Sequence, residues 1–201
     1  MKNYLCFNGK KIPLTKEQID SIKNQFAPCK RLGDVPVGEL AKIGEHDYIV
    51  LEHVGDYTRL LMRDFLTTMR FGKTCDFKTS DVKDELGKFA KKLAEVVGED
   101  NIFEHTVDLT ADDGLKDYGS TTALVSLLTC DLYREFVEII DKYEVEDWWW
   151  MATPLSTPKH GYGNAVKCVS PSGYVDGNYG GNYHSIGVRP FCILNSNIFV
   201  S

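Results

Sequence analysis

The clearest pattern of apolar and polar positions lies in the middle of the chain. Two runs rich in β-forming residues flank the Gly-Asp pair at 55–56 in "HDYIVLEHVGDYTRLLMRDF", a combination that is typical of a β-hairpin. "SDVKDELGKFAKKLAEVVGED" carries apolar residues at helical spacing, with Ser80 or Asp81 as its cap and Gly98 at its end. A second helix fits "TCDLYREFVEIIDKY", with Thr129 as its cap. The pattern therefore predicts a hairpin followed by two amphipathic helices.

After Asp147 the helical period ends. Short β runs, "WWWMAT", "AVKCV", "IGVRPFCIL" and "IFVS", alternate with loops rich in Gly, Ser, Asn and Tyr. The order is thus a hairpin, two helices and then a series of strands. This order predicts an α+β fold, in which the helices are segregated from an antiparallel sheet.

Residues 1–35 form a predicted N-terminal appendage and connector. A short strand, "YLCFNG", precedes a helix that begins with a capping box made by Thr15 and Gln18. Apolar residues follow at helical spacing (Ile19, Ile22 and Phe26). With a single apolar stripe, this unit is expected to dock on the main domain or on a neighbouring subunit. A connector broken by Pro and Gly leads to the main domain, residues 36–201.

Three consecutive tryptophans occupy the strand that follows the second helix. Side chains alternate along a strand, so Trp148 and Trp150 point to one face and Trp149 to the other. A sugar-binding platform normally uses one exposed ring, whereas a triplet buries area on both faces. We predict that at least two rings belong to the core, in a central strand between the helices on one side and loops on the other.

The ordered set of motifs in the C-terminal half resembles a known domain family. "VSLLTCDLYREF", "WWWMATPLS", "AVKCVSPSGYV" and "GVRPFCIL" resemble an uncharacterised family that is common in Gram-positive bacteria and their prophages. The segment "IVLEHVGDYTRLLMRDFL" resembles the opening hairpin of that family, so the match covers roughly residues 35–200. The family looks related to C-type-lectin-like folds, which include the formylglycine-generating enzyme group and variable receptor-binding proteins of phages and retroelement cassettes.

This resemblance implies a C-type-lectin-like domain with its ligand surface in the loops between the last strands. Fold alone does not establish activity. The E-P-N-like and W-N-D triplets of calcium-dependent lectins are absent from the sequence, which argues against a calcium-bridged sugar. The paired cysteines of the formylglycine-generating group are also missing near the C-terminus, where Cys168 and Cys192 stand far apart.

Composition narrows the class of partner and the compartment. The net charge of -6 argues against nucleic acid, because phosphate binding needs a clustered cationic surface. No apolar run approaches the ~20 residues of a membrane helix. The N-terminus lacks the apolar region of a signal peptide, so synthesis in the cytoplasm is expected, with association with a virion left open. The six cysteines include no C-x-x-C pair and are expected to be buried thiols rather than disulfides.

The segment 159–187 is the candidate recognition surface. Its composition of Tyr, Asn, Gly, Ser, His and Asp is that of an antibody paratope, in which Tyr supplies contact area at low entropic cost. Glycine-rich hairpin turns are the competing interpretation, and they explain Asn and Gly better than Tyr. The glycines are expected to break the segment into turns that hold the side chains outward. The candidate binding residues are Tyr162, Asn164, Tyr174, Asp176, Asn178, Tyr179, Asn182, Tyr183 and His184.

The same residue types have a second implication. Asn, Tyr, Ser, Gly, His and Asp are all reached from an Asn codon when its adenines change, which is how diversity-generating retroelements vary their target proteins. The nucleotide sequence around codons 159–187, searched for a nearby near-repeat and a reverse-transcriptase gene, is the most informative test of this interpretation.

Metal and catalytic motifs have little support. The acidic stretch "DLTADDGLKDYG" fails the EF-hand register, because the required acids and glycine fall at the wrong positions, and an acidic turn is the preferred interpretation. We therefore predict no metal and no cofactor. A Cys168–His184 pair formed in space is the one nucleophile left open, since no known catalytic motif occurs. Arg189, inside an apolar strand, is predicted to pin the final strands through an ion pair or a backbone contact, with ligand binding as the alternative.

The leading hypothesis is therefore a non-enzymatic recognition protein derived from a phage or prophage. Its partner would be a protein or a glycan, for instance on a bacterial surface, and homo-oligomerisation is left open. The alternatives are an enzyme resembling the formylglycine-generating group and a structural virion module. A tight pocket based on Cys or metal would favour the enzyme, whereas an exposed tyrosine surface would favour recognition.

Overall fold

The protein has a mixed α+β fold built mainly from antiparallel sheets. The computed structural model describes residues 4–7, 10–18, 29–179 and 186–201. Within these ranges the helices are α1 (Asp81–Val97) and α2 (Cys130–Ile140), and residues 16–18 are also helical. The strands before α1 are β1 (Tyr4–Phe7), β2 (Lys10–Pro13), β3 (Lys30–Arg31), β4 (Leu40–Ile43), β5 (His46–Val54), β6 (Tyr57–Met62) and β7 (Thr67–Met69). The strands between α1 and α2 are β8 (Ile102–Phe103), β9 (His105–Asp108), β10 (Ser120–Ala123) and β11 (Val125–Ser126). The strands after α2 are β12 (Trp149–Pro154), β13 (Ala165–Val169), β14 (Val175–Tyr179), β15 (Ile186–Val188), β16 (Phe191–Asn195) and β17 (Phe199–Val200).

Two larger sheets make up the domain. One has the order β11-β16-β6-β5-β4, with β8 also paired to β16, and the other has the order β14-β13-β12-β15-β7. The pairing of β12 with β15 is parallel, with Trp149 opposite Gly187, and the other described pairings are antiparallel. The late strands β15 and β16 therefore lie inside their sheets, each between two strands that come earlier in the chain.

Local sequence signals explain the helices and the hairpin. The Ser80 side chain accepts a hydrogen bond from the Lys83 amide at 3.0 Å, and Gly98 ends α1 with φ +87°. Thr129 caps α2 by accepting from the Leu132 amide at 3.3 Å. β5 and β6 pair around Gly55, as predicted. These four predictions are confirmed.

The core is divided into two clusters by the pleat of the central strands. In β12, Trp150 and Ala152 join the cluster that contains α1, whereas Trp149 and Met151 join the cluster that contains α2. β5 alternates in the same way. Trp149 and Trp150 are buried and Trp148 is half-buried, which confirms the predicted core role and alternation. The prediction of helices on one side of this strand and loops on the other is wrong. One face of β12 packs in the cluster that contains α1, and the other face packs in the cluster that contains α2.

The N-terminal predictions have mixed outcomes. The capping box is present, with the Thr15 amide donating to Gln18 Oε1 and the Gln18 amide donating to Thr15 Oγ1. The predicted apolar stripe at 19–26 lies outside the described residues. The connector is joined to the main domain from Lys30 onward, because β3 pairs with β17 and both Leu32 and Val35 are buried in the main core. Leu32 and Val35, which precede the predicted boundary at residue 36, thus pack in the same cluster as residues of the main domain.

Candidate ligand-binding site

The β13–β14 hairpin carries the described part of the predicted recognition surface. Tyr162 is 50% exposed and Tyr174 is 63% exposed, and Asn164 and Asp176 are also exposed. The prediction that Tyr174 projects into solvent is therefore confirmed. Asn178 and Tyr179 lie in β14, but their side chains are outside the described part of the structure, as are Asn182, Tyr183 and His184 altogether.

The hairpin corrects the prediction of a series of turns. Val175–Tyr179 is a strand at the edge of its sheet, so Gly177 lies in extended structure rather than in a turn. A Cβ at Gly177 would meet Leu155 at 3.1 Å, so the glycine is explained by close packing. Tyr162 and Tyr174 are separated by the whole of β13, roughly 13 Å at the usual rise per residue. The described residues thus form two separate patches, one at each end of the hairpin.

Tyr174 leaves a turn that is held by several hydrogen bonds. The Ser170 side chain accepts from the Tyr174 amide at 3.0 Å, and the Ser170 amide donates to the Tyr174 carbonyl at 2.8 Å. Gly173 adopts φ +80°, a conformation that favours glycine, and its carbonyl accepts from the Tyr133 hydroxyl at 3.0 Å. The exposed ring of Tyr174 is therefore carried by a backbone that is fixed to α2.

Beside this turn a cavity of about 250 Å³ opens between α2 and the sheet. We call it the Arg189 cavity. Its polar lining residues are Tyr133, Asp141, Tyr143, Glu144, Ser170, Ser172 and Arg189, and its other lining residues are Ile140, Val145, Trp149, Val169, Pro171 and Gly173. The cavity is thus assembled from five separate stretches of chain.

Arg189 is the buried cation of this cavity. It is only 1% exposed, its Nε donates to the Met62 carbonyl at 2.8 Å, and its guanidinium carbon lies 5.2 Å from the centre of the Trp149 ring. Burial lowers the pKa of Arg189 to about 10, so the side chain is still charged at neutral pH. Its Nη2 has no hydrogen-bond partner among the described residues. The predicted backbone contact is confirmed, and within the described ranges no carboxylate forms an ion pair with this guanidinium.

Tyr133 and Asp141 connect the end of α2 to the turn. The Tyr133 hydroxyl lies 3.2 Å from Asp141 Oδ1, as well as 3.0 Å from the Gly173 carbonyl, and can donate to either. Its ring meets the Trp149 ring edge-on at a centroid distance of 5.8 Å. Burial raises the pKa of Tyr133, with the Asp141 charge adding to the effect, so the phenol stays protonated. This part of the cavity wall is therefore polar and is held in place by hydrogen bonds.

Only one sequence feature pointed to this cavity, a charged residue in the apolar strand "GVRPF". Tyr133, Asp141 and Ser172 were not predicted as site residues. In the helical pattern, Tyr133 falls at an apolar position, and Asp141 is expected to be solvated at the end of the helix. Their roles depend on contacts between residues far apart in the chain, which periodicity does not report.

The acidic stretch at 108–117 is a hydrogen-bonded turn, as predicted. Gly114 adopts φ +86° within it. Each carboxylate is held by donors of the protein: Asp108 by Thr110, Asp112 by Arg134 and Lys167, Asp113 by Ser156 and His160, and Asp117 by Thr157. The bond from Ser156 lowers the pKa of Asp113. In the described part of the chain, no group of three or more His, Cys, Asp or Glu residues is arranged to hold a metal ion.

The described cysteines are mostly buried. Burial raises the pKa of Cys75, Cys130 and Cys192, which disfavours the thiolate that a nucleophile requires. Cys168 is buried in β13, and the proposed pairing with His184 lies outside the described residues.

Comparison with protein-family models, with curated proteins and with solved structures found no match to this chain. Among the described helices, none has the length and apolar character needed to cross a bilayer.

Proposed function

We propose that this protein is a non-enzymatic recognition protein that binds a protein or glycan partner through the face formed by the β13–β14 hairpin. The observation that carries the proposal is Tyr174, a large ring that is 63% exposed although its backbone is fixed by the turn at 170–174. A rigid aromatic anchor loses little conformational entropy when it binds, which is why such residues dominate recognition surfaces.

We further propose a C-type-lectin-like fold of phage or prophage origin, with retroelement diversification of the hairpin region. In support, antiparallel strands predominate, the last strands complete both sheets, and the hairpin follows the buried tryptophan strand. The polar composition of 159–187 supports the same proposal, since adenine changes in an Asn codon reach these residue types. A bacterial surface is the partner environment that best fits this origin.

Recognition is favoured over thiol chemistry by the state of the cysteines. An enzyme like those of the formylglycine-generating group would need a reactive thiol in an accessible pocket. Instead, burial raises the pKa of Cys192 to about 12, and the thiol is completely enclosed. The Arg189 cavity beside the hairpin has no cysteine among its lining residues.

The test compares two exposed tyrosines on different parts of the surface. Tyr174→Ala removes the proposed anchor, and Tyr57→Ala removes a 46% exposed tyrosine that lies on β6. Each variant is titrated against surface-protein and cell-wall-glycan fractions of Gram-positive bacteria. We expect Tyr174→Ala to weaken binding by roughly 30-fold, which corresponds to about 2 kcal/mol for an anchor residue, while Tyr57→Ala binds normally.

Stability is the control for this comparison. Surface substitutions usually change the free energy of unfolding by about 0.5 kcal/mol or less, so the melting temperature of Tyr174→Ala should stay close to that of the native protein. Equal binding by the native protein and Tyr174→Ala would contradict the proposal, as would an equal loss in both variants.

A further inference from the structure

The charge of Arg189 is poorly compensated inside the protein. Burying a cation is costly unless it is paired and its donors are satisfied. The Met62 carbonyl occupies one donor and the Trp149 face provides a cation–π contact, but Nη2 has no described partner. The nearby Asp64 carboxylate pairs instead with Arg63 at 3.0 Å. A ligand oxygen that reached the guanidinium would therefore replace a missing interaction.

The other charged residues of the Arg189 cavity are negative, and they lie nearer to the solvent than Arg189 does. Asp141 and Glu144 also line the cavity, and both are exposed, whereas Arg189 is buried. A simple anion would gain from Arg189 but would be repelled by these two carboxylates. A ligand with a negative group placed inward and a positive group placed outward would gain from both.

The size and the walls of the cavity restrict the rest of the ligand. A volume of about 250 Å³ is below the range of about 300–1,000 Å³ that is usual for drug-sized ligands. Val145, Val169 and Pro171 supply apolar wall, and Ser170 and Ser172 supply hydroxyl groups. These dimensions suit a molecule of one amino acid rather than an oligosaccharide or a peptide.

We propose that the Arg189 cavity binds a small zwitterion of the size of a single amino acid, with its carboxylate at Arg189 and its ammonium group at Asp141 and Glu144. The charge-assisted hydrogen bond to the guanidinium would be the main contact. Tyr133 acts as a positioning residue, because its hydroxyl lies within hydrogen-bonding distance of Asp141. The cavity adjoins the turn that carries Tyr174, yet this inference does not depend on a macromolecular partner.

The experiment compares L-valine with two analogues, each of which lacks one of its two charged groups. L-valine carries both charges, isovalerate lacks the ammonium group, and isobutylamine lacks the carboxylate. Binding to the full-length protein is measured at neutral pH by calorimetry and by chemical-shift changes of labelled backbone amides. We expect L-valine to bind most tightly, isovalerate about threefold more weakly, as for an exposed charge pair, and isobutylamine not at all.

Two variants separate the two ends of the ligand. Asp141→Asn keeps the shape of the side chain and should lower the affinity for L-valine while raising that for isovalerate, a change of opposite sign for the two probes. Glu138→Gln alters the net charge equally, at an exposed position on α2 that does not line the cavity, and should change neither affinity. Arg189→Met should abolish binding of both carboxylates.

The possible outcomes are distinct from those of the recognition proposal. Absence of L-valine binding to the native protein would overturn the zwitterion site, and so would equal responses of Asp141→Asn and Glu138→Gln. If Arg189→Met does not fold, the comparison of Asp141→Asn with Glu138→Gln still tests the zwitterion site. Tyr174→Ala should bind L-valine normally, because its ring does not line the cavity, so a failure of surface recognition leaves this result unaffected.

Discussion

The two faces of β12 belong to the same six residues but have different surroundings. On one face, Trp150 is completely buried, donates from Nε1 to the Met69 carbonyl at 2.8 Å, and meets the Phe71 ring edge-on. On the other face, Trp149 is equally buried but lies against Arg189 and Tyr133 beside a cavity. One face is closed apolar packing and the other supports polar groups. A tryptophan-rich strand can therefore stabilise a fold and support a candidate site at the same time.

The largest expected effect is on the closed face. Trp150→Ala removes a buried ring and its hydrogen bond, and should lower the free energy of unfolding by about 3–5 kcal/mol. Urea unfolding measures this directly. Trp148→Ala is the matched control, because Trp148 is only half-buried, and it should cost clearly less. Similar costs for both variants would show that the alternation along β12 does not decide which ring is core.

A smaller effect is expected on the cavity face. Arg189→Met removes a buried charge whose hydrogen bonding is incomplete, so the relief of burial offsets the lost contact with the Met62 carbonyl. The free energy of unfolding should change by about 1 kcal/mol, well below the change for Trp150→Ala. A loss as large as that for Trp150→Ala would mean that Arg189 is a central structural element of the core, and the difference between the two faces would disappear.

The smallest expected effect is on the pH dependence of stability, through His105. This histidine contacts Phe191, which belongs to the same core cluster as Trp149. His105 packs edge-on against the Phe191 ring, and burial lowers its pKa below the usual 6.5. The unfolded chain therefore binds a proton more readily than the folded protein. The stability contributed by neutral His105 is complete above pH 6.5 and is lost as the pH falls from 6.5 through the folded-state pKa.

This prediction is checked by urea unfolding of the native protein and of His105→Gln at pH 7.5 and pH 5.5. The native protein should lose more stability than the variant between these two values. An identical loss in both proteins would show that the histidine does not contribute to the pH dependence.

Local patterns predicted the elements whose signals are contiguous. The capped helices α1 and α2, the hairpin at Gly55 and the alternation of the tryptophans all follow from spacing and caps within about twenty residues. The hairpin of β9 and β10 was missed because its short strands, "HTVD" and "STTA", are half-exposed and mostly polar. β14 was predicted as turns because Gly and Asn disfavour strands, and only its pairing with β13 overrides that preference.

The candidate site was harder to predict because its geometry is not local. Arg189 could be identified as a buried cation, since a charge in an apolar strand needs a partner. The cavity around it depends on the end of α2 lying beside the turn at Gly173, and no spacing rule relates those two segments. The position of Tyr174, next to Gly173 on the turn beside that cavity, has the same origin.

The placement of β15 and β16 determines when the chain can fold during synthesis. Each fills an internal position, β15 between β12 and β7 and β16 between β11 and β6. Until the ribosome has released residues 186–195, both sheets have a gap where an inner strand belongs, and the neighbouring strands present unpaired edges. Pairing partners so far apart in the chain also slow the search for the native arrangement. The nascent protein therefore depends on residues 186–195 to protect strands made much earlier, and the open strand edges favour aggregation until those residues have emerged.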